Sequence, residues 1–357
     1  MMEPGEDGRA VLAALEGKPA LYHCISRAVW QEMVFGEAEK ERFVAIMRKW
    51  ESFSQVRVLT FCVMTNHFHL LVEVPERPGQ DPTDEELLEH LAKVYRGQRL
   101  AEIRWELESM RRQGNHSAAE ALRQRFLRRM WDLSVFMKAV KQEFTVWWNK
   151  KHAKRGNLWE DKFKSVLVED GHAARMVAGY IELNPVRAGI AKSPEDYRWS
   201  GGGEAVAGKK QARQGIRQVM LERELGLSNP ATAIQDVAEW RKVAAEYRAL
   251  MQQDASRRKT GQETSGAGST GDRRARPRMA EPLMGGGHGG LSEGELLARR
   301  VRYFADGLVI GSRHFVDGVF DLTRDWFGAK RTSGARRIAH ASTSLRTMRA
   351  LRVKPIG

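Results

Sequence analysis

The sequence predicts an α+β protein, on three observations. Runs rich in β-branched and aromatic residues occur from Pro19 to Val29, through "VRVLTFCVMTNHFHLLVEV" and in "FKSVLVE". The second run is interrupted around Thr65 and Asn66, as a hairpin would be. Between the runs lie stretches whose apolar residues recur at helical spacing.

In chain order, "PALYHCISRAV" reads as a strand and "EAEKERFVAIMRKWESF" as a helix, because Phe43, Ile46, Met47 and Trp50 fall on one face. The hairpin follows. From Pro75 to about Arg129 the chain turns to charged helices, "DEELLEHLAKVY" and "RLAEIRWELESMRRQGNHSAAEALRQRFLRRM", with Gly114-Asn115 as a natural break. Apolar periodicity returns in "WDLSVFMKAVKQEFTVWWNKKH" through Leu133, Phe136, Met137, Val140, Phe144 and Trp147. Phe163 to Glu169 is a strand and His172 to Asn184 a helix. Pro185 is expected to end that helix, since the residue before a proline is pushed out of the α region. The composition loosens after Trp199. Residues 1–202 therefore read as one domain with a helical insertion at about 76–130, followed by a helical extension at 203–252 and a flexible linker at 253–292. A basic module at 293–357 closes the sequence.

The 357 residues carry 59 Lys and Arg against 45 Asp and Glu, a net charge of +14. The last 65 residues hold thirteen of those cations and only six acids, so half the excess sits in under a fifth of the chain. Such a balance favours polyanionic partners. A membrane surface is the other such partner, but no apolar run approaches the length that spans a bilayer. No signal-peptide pattern opens the sequence, and Cys24 and Cys62 read as reduced core thiols, so the expected location is cytoplasmic. The tail, set apart by a flexible linker, is expected to be an auxiliary DNA contact.

Chemistry concentrates in two short stretches. In "MTNHFHLLVEV" strand alternation puts His67, His69, Leu71 and Glu73 on one face and Phe68, Leu70, Val72 and Val74 on the other. The two imidazoles then stand about 7 Å apart along the strand. They can hold one divalent cation that has a third protein ligand and an open position, or they are simply hydrogen-bonded histidines. In "GYIELNPVRAG" Tyr180 and Asn184 are one helical turn apart. Asn184 can supply an oxygen ligand and Tyr180 a nucleophile towards phosphorus, or the pair is a packed tyrosine with a capping asparagine.

Taken in order, "NHFHLLVEV", "RGNLWEDKFKSVLVED" and "YIELNPVRAGI" followed by "PEDYRWS" resemble the single-tyrosine HUH transposases, above all their REP-associated branch. The resemblance runs from about Ala20 to Ser200 and is interrupted by the 76–130 insertion; it departs at Thr65, where relatives commonly have proline. It implies a ferredoxin-like antiparallel sheet with helices on one face. It also implies a Mg²⁺ or Mn²⁺ site from His67, His69 and Asn184, with Tyr180 as the nucleophile. The implied activity is cleavage and rejoining of single-stranded or hairpin DNA through a 5′-phosphotyrosine, by a monomer or a homodimer. Around that site Arg27, Arg155, Trp159, Lys162 and Lys164 are candidates for phosphate contacts and base stacking, or form a solvated basic face with Trp159 in the core. Two other readings stand beside this one: a DNA-binding regulator on the same fold, and a metal-dependent phosphodiesterase in which water attacks.

Overall fold

A computed structural model describes residues 19–29, 32–221, 237–252, 292–298, 304–305, 307–328, 330–338 and 341–348. The linker expected at 253–292 lies outside these residues except for its last, as does the 299–303 stretch of the tail.

The central unit is built from strand β1 (Ala20–Arg27), helix α1 (Glu37–Ser54), and the hairpin of β2 (Arg57–Val63) and β3 (His67–Val74). After the insertion come α5 (Leu133–Lys151) and β4 (Lys164–Val168). β1 lies between β3 and β4, antiparallel to both, and β2 pairs with β3 on the outside. This strand–helix–hairpin–helix–strand order, with β1 central, is the ferredoxin-like arrangement. The hairpin closes at Thr65 and Asn66, where Met64 N–H donates to His67 O at 2.8 Å.

α1 and α5 cover one face. Phe43, Ile46 and Met47 from α1 meet Phe136, Val140 and Phe144 from α5 over Tyr22, Cys24, Phe68, Leu70 and Val72. α5 begins sharply because the Asp132 side chain accepts from Val135 N–H, and Lys150 and Lys151 complement its C-terminal dipole. Both cysteines are buried and free.

The insertion forms α2 (Asp84–Leu91), α3 (Gln98–Arg112) and α4 (His116–Leu127), with a Thr83–Glu86 capping box at the first. These helices share a separate core of Leu87, Leu91, Ile103, Leu107, Phe126 and Leu127, which touches the rest of the chain at Phe53 and Trp50.

The sheet's other face is covered as well, an addition to the helices on one face that the sequence suggested. α6 (His172–Glu182), α9 (Lys210–Met220), α10 (Val237–Gln252) and α11 (Glu293–Ala298) pack over Leu21, Leu71, Val166 and Val168. A bulge between Val58 and Thr60 lets β2 send Val58, Phe61 and Val63 to the first face and Leu59 and Cys62 to the second. α9 approaches β2 so closely at Gly215 that a Cβ there has no room against the Leu59 carbonyl. Pro185 does not push the chain out of helical space. Asn184, the residue before the proline, opens a single-turn helix α7 (Asn184–Arg187) with the proline in its first turn, where no N–H is needed. The short α8 (Gly201–Val206) is capped by Ser200.

The basic tail is a structural part of the sheet, which corrects its reading as a separate module. β5 (Val309–Gly311) pairs parallel with β4, and β7 (Arg346–Met348) and β6 (Arg336–Arg337) complete a seven-stranded order β2-β3-β1-β4-β5-β7-β6. α12 (Arg313–Leu322) adds Val316, Val319 and Phe320 to the first core. Arg336 and Arg337 lie exposed on β6 at the far edge, whereas Val309, Ile310 and Met348 are fully buried.

Candidate active site

Three of the residues singled out from the sequence come together on the second face. His67 and His69 project from β3 with ring centroids 5.1 Å apart, and the Tyr180 ring on α6 lies 6.1 Å from that of His69. Helical spacing puts Tyr180 on the same side of α6 as Ala173, Met176 and Val177, which pack on the strands. The HxH face is therefore not an open one: His69 is 4% exposed and Tyr180 3%, while His67, at the strand's first position, is half-buried.

Each histidine has its Nδ1 committed. His67 Nδ1 lies 2.7 Å from Asn66 Oδ1, and His69 Nδ1 lies 2.9 Å from Nε2 of His23 on β1. Nε2 is then the nitrogen of each ring able to face a metal. Burial, reinforced by the neighbouring His67 and His23 and by Arg187 and Arg27, holds the His69 pKa well below the usual imidazole value, so the ring is neutral as a ligand must be. His23 is lowered by burial to about 4, against the opposing pull of its bond to the Phe304 carbonyl. Among the described residues no group of three or more His, Cys, Asp or Glu side chains is arranged to hold a metal. A third protein ligand would have to be of another kind. Asn184 offers an amide oxygen; its Nδ2 is turned back to donate to the carbonyls of Tyr180 at 3.3 Å and Ile181 at 3.1 Å. Two imidazoles and one amide oxygen are a donor set that fits a divalent cation with open positions.

Three residues of this cluster went unread in the sequence. Arg187 donates to the carbonyls of Tyr180 at 2.6 Å and Leu297 at 2.7 Å, and its guanidinium carbon sits 4.3 Å over the Tyr180 ring. Its spacing of seven residues from Tyr180, two helical turns, was the available signal. His23 faces the site because Cys24 pairs with Leu70 and Ile25 with His69, a register that strand alternation alone does not disclose. Phe304 closes the cluster, its ring 5.0 Å from that of Tyr180.

The cationic candidates divide. Arg27 stands directly opposite His67 in the β1–β3 register, and Lys164 opposite Ile25, so both lie on the histidine face and both are exposed. Arg155 and Lys162 are exposed in the connection between α5 and β4. Trp159 is a correction. It is 4% exposed in the first core, with Nε1 donating to Thr145 Oγ1 at 2.8 Å, so its ring is not available to stack on a base.

Comparison with known proteins places residues 18–84 in a match to the family described as "Transposase IS200 like". That span holds β1, α1 and the hairpin, with His23, His67 and His69. Over that span the chain is similar to the IS200-like transposases. No curated protein matches the chain. A solved structure described as a REP-associated tyrosine transposase bound to a REP hairpin is similar at 14% identity, over 53% of this chain and 80% of that one, with a TM-score of 0.34. No helix among the described residues is long and apolar enough to cross a membrane.

Proposed function

We propose that this chain cleaves and rejoins single-stranded or hairpin DNA, with Tyr180 as the nucleophile. The observation that carries the reading is the position of the Tyr180 ring 6.1 Å from that of His69, within one chain. A site assembled in this way is complete without a tyrosine exchanged from a second copy, which supports action as a monomer.

His67, His69 and Asn184 would hold Mg²⁺ or Mn²⁺. When bound there, the cation neutralises charge on the scissile phosphate, which otherwise repels an incoming phenolate. The chain's own groups do the rest. The Tyr180 oxygen forms a bond to phosphorus as the bond to the 3′ oxygen breaks; the phenol loses its proton and the 3′ oxygen gains one. Arg187, 4.3 Å over the ring, favours the phenolate by its charge. The 5′-phosphotyrosine preserves the ester for joining to a second 3′-hydroxyl, so no nucleotide cofactor is required. Arg27, Lys164, Lys162 and Arg155 offer phosphate contacts along the approach to the histidines. Phe304 lies over the tyrosine ring, so a strand reaches Tyr180 only after that contact opens.

The test is incubation with a library of hairpin-bearing single strands and Mn²⁺, followed by nuclease digestion and mass spectrometry. A nucleotide adduct on Tyr180, lost in Tyr180→Phe, is expected. Cleavage without an adduct would transfer the attack to water, and an adduct on another tyrosine would overturn the assignment.

A further inference from the structure

We infer that His23 is a positioning residue: with the backbone carbonyl of Phe304, it fixes His69 as the tautomer whose Nε2 lone pair is available to a metal. The inference rests on the metal reading above for its purpose, though not for its geometry.

Three groups, Phe304 O, His23 and His69, form a chain along which the position of each proton is fixed. His23 Nδ1 lies 2.7 Å from Phe304 O, and a carbonyl oxygen only accepts. His23 Nδ1 must therefore carry a hydrogen. The ring is completely buried, where a charge without a counter-ion is costly, so the second nitrogen, Nε2, bears a lone pair. That lone pair faces His69 Nδ1 at 2.9 Å, and the contact is a hydrogen bond only if His69 Nδ1–H donates. In a neutral His69 the remaining nitrogen, Nε2, is then the acceptor atom. The alternative order, with His23 Nε2–H donating to His69, would set two lone pairs against each other at Phe304. The rings are also stacked, with centroids 5.1 Å apart and planes 26° apart, so the orientation of His69 is held as well as its proton.

The two ends of this relay are far apart in sequence. His23 is on β1 and Phe304 in the C-terminal segment, 281 residues later. The tail thus contributes a backbone atom that holds His23, besides the Phe304 ring that lies against Tyr180. Outer partners of metal-bound histidines commonly raise affinity by roughly 10- to 100-fold, by fixing the tautomer and the ring angle.

The experiment uses the full-length protein. Long-range ¹⁵N–¹H spectra of the metal-free protein, with His69 assigned from a His69→Gln difference spectrum, report which ring nitrogen is protonated. Wild type is expected to show His69 protonated at Nδ1 and His23 likewise. In His23→Phe, which keeps a ring but no nitrogen, His69 should shift towards the Nε2–H form and Mn²⁺ affinity should fall roughly 10- to 100-fold. His23→Gln can accept from His69 with its amide oxygen, and it should restore both the tautomer and most of the affinity. An Nε2–H signal for His69 in wild type overturns the inference, even if neither variant folds. So does a folded His23→Phe that leaves tautomer and affinity unchanged. If wild type binds no Mn²⁺, the metal reading fails, while the tautomer assignment is still decided by the ¹⁵N spectrum.

Discussion

Glu182 lies two residues beyond Tyr180 on α6, and its titration should be visible in the stability of the whole protein. The side chain is fully buried. Oε1 accepts from Thr60 Oγ1 on β2, from Gly202 N–H at 2.8 Å and from Tyr247 Oη at 3.3 Å, which ties the tyrosine-bearing helix to the sheet, α8 and α10. Oε2 has no hydrogen-bond partner among the described residues. Burial lifts its pKa from 4.5 to about 7, against the downward pull of those hydrogen bonds. A carboxyl raised on folding binds its proton more tightly in the native state. Its contribution is therefore complete below pH 4.5 and is lost as the pH rises to 7. The difference of about 2.5 units corresponds to roughly 3 kcal/mol, at about 1.4 kcal/mol per unit.

Glu182→Gln isolates the contribution of this proton. The amide resembles the protonated acid, and any cost of its unpartnered NH₂, about 1–3 kcal/mol, is constant with pH. His23, lowered to about 4, gives the opposite slope over an overlapping range, but it does so in both proteins and cancels. Urea melts of both proteins at pH 5 and pH 8 should show the variant gaining about 2.5 kcal/mol on wild type between the two, since part of the contribution is already lost at pH 5. A constant difference across that range would mean that Glu182 is ionised throughout, and the burial argument would fail.

Other outcomes follow from the same contacts. His67→Ala and His69→Ala should both abolish adduct formation. Thermal melts should separate them, because His69→Ala also deprives buried His23 of its partner, at about 1–3 kcal/mol, and half-buried His67 carries no such cost. Removal of the chain beyond residue 253 should yield a protein without a cooperative melt, since it leaves β4 as a bare edge and deletes the buried Leu296, Leu297, Val309, Ile310 and Phe320. A stable truncated protein with only weakened DNA binding would restore the tail as an auxiliary contact. Trp159→Ala should destabilise the fold by about 3–5 kcal/mol. Its effect on DNA affinity should vanish under conditions where the variant is fully folded, and a large residual loss in a binding titration would return the ring to the DNA surface.

The ferredoxin-like half was legible because each of its elements carries its own period. Phe43, Ile46 and Met47 mark a helix, and Phe68, Leu70 and Val72 mark a strand face, whatever lies around them. The pair His67 and His69 stood out for the same reason, since alternation fixes two imidazoles on one face. What alternation cannot give is the cover over that face or the neighbour across the ladder. His23 enters the site only through the β1–β3 register, and Phe304 only through a chain return of nearly the whole length. The tail was misread because charge dominates its composition while its strands span only two or three residues, too short to show a period. Trp159 was ambiguous for a different reason: an aromatic between charged neighbours suits a core or a binding face equally, and only its bond to Thr145 decides.

The insertion is the one large element whose removal should leave the chemistry untouched. Its core of Leu87, Ile103, Leu107 and Phe126 is its own, joined to the rest through Phe53 and Trp50 at the end of α1. None of the residues that surround Tyr180 belongs to it. Its two ends are neighbours, because the Arg77 guanidinium lies 5.7 Å from the Trp131 ring, so a short glycine–serine bridge can replace residues 78–130. The cost falls on Phe53, fully buried now and exposed after the deletion, worth about 1.5–3 kcal/mol. Phe53→Ser in the same variant limits the new apolar patch. This shortened protein should melt cooperatively and form the Tyr180 adduct at a rate close to wild type on a saturating hairpin substrate. A folded variant that binds the hairpin yet forms no adduct would show that the insertion takes part in the site, and the separation drawn here from its private core would be wrong.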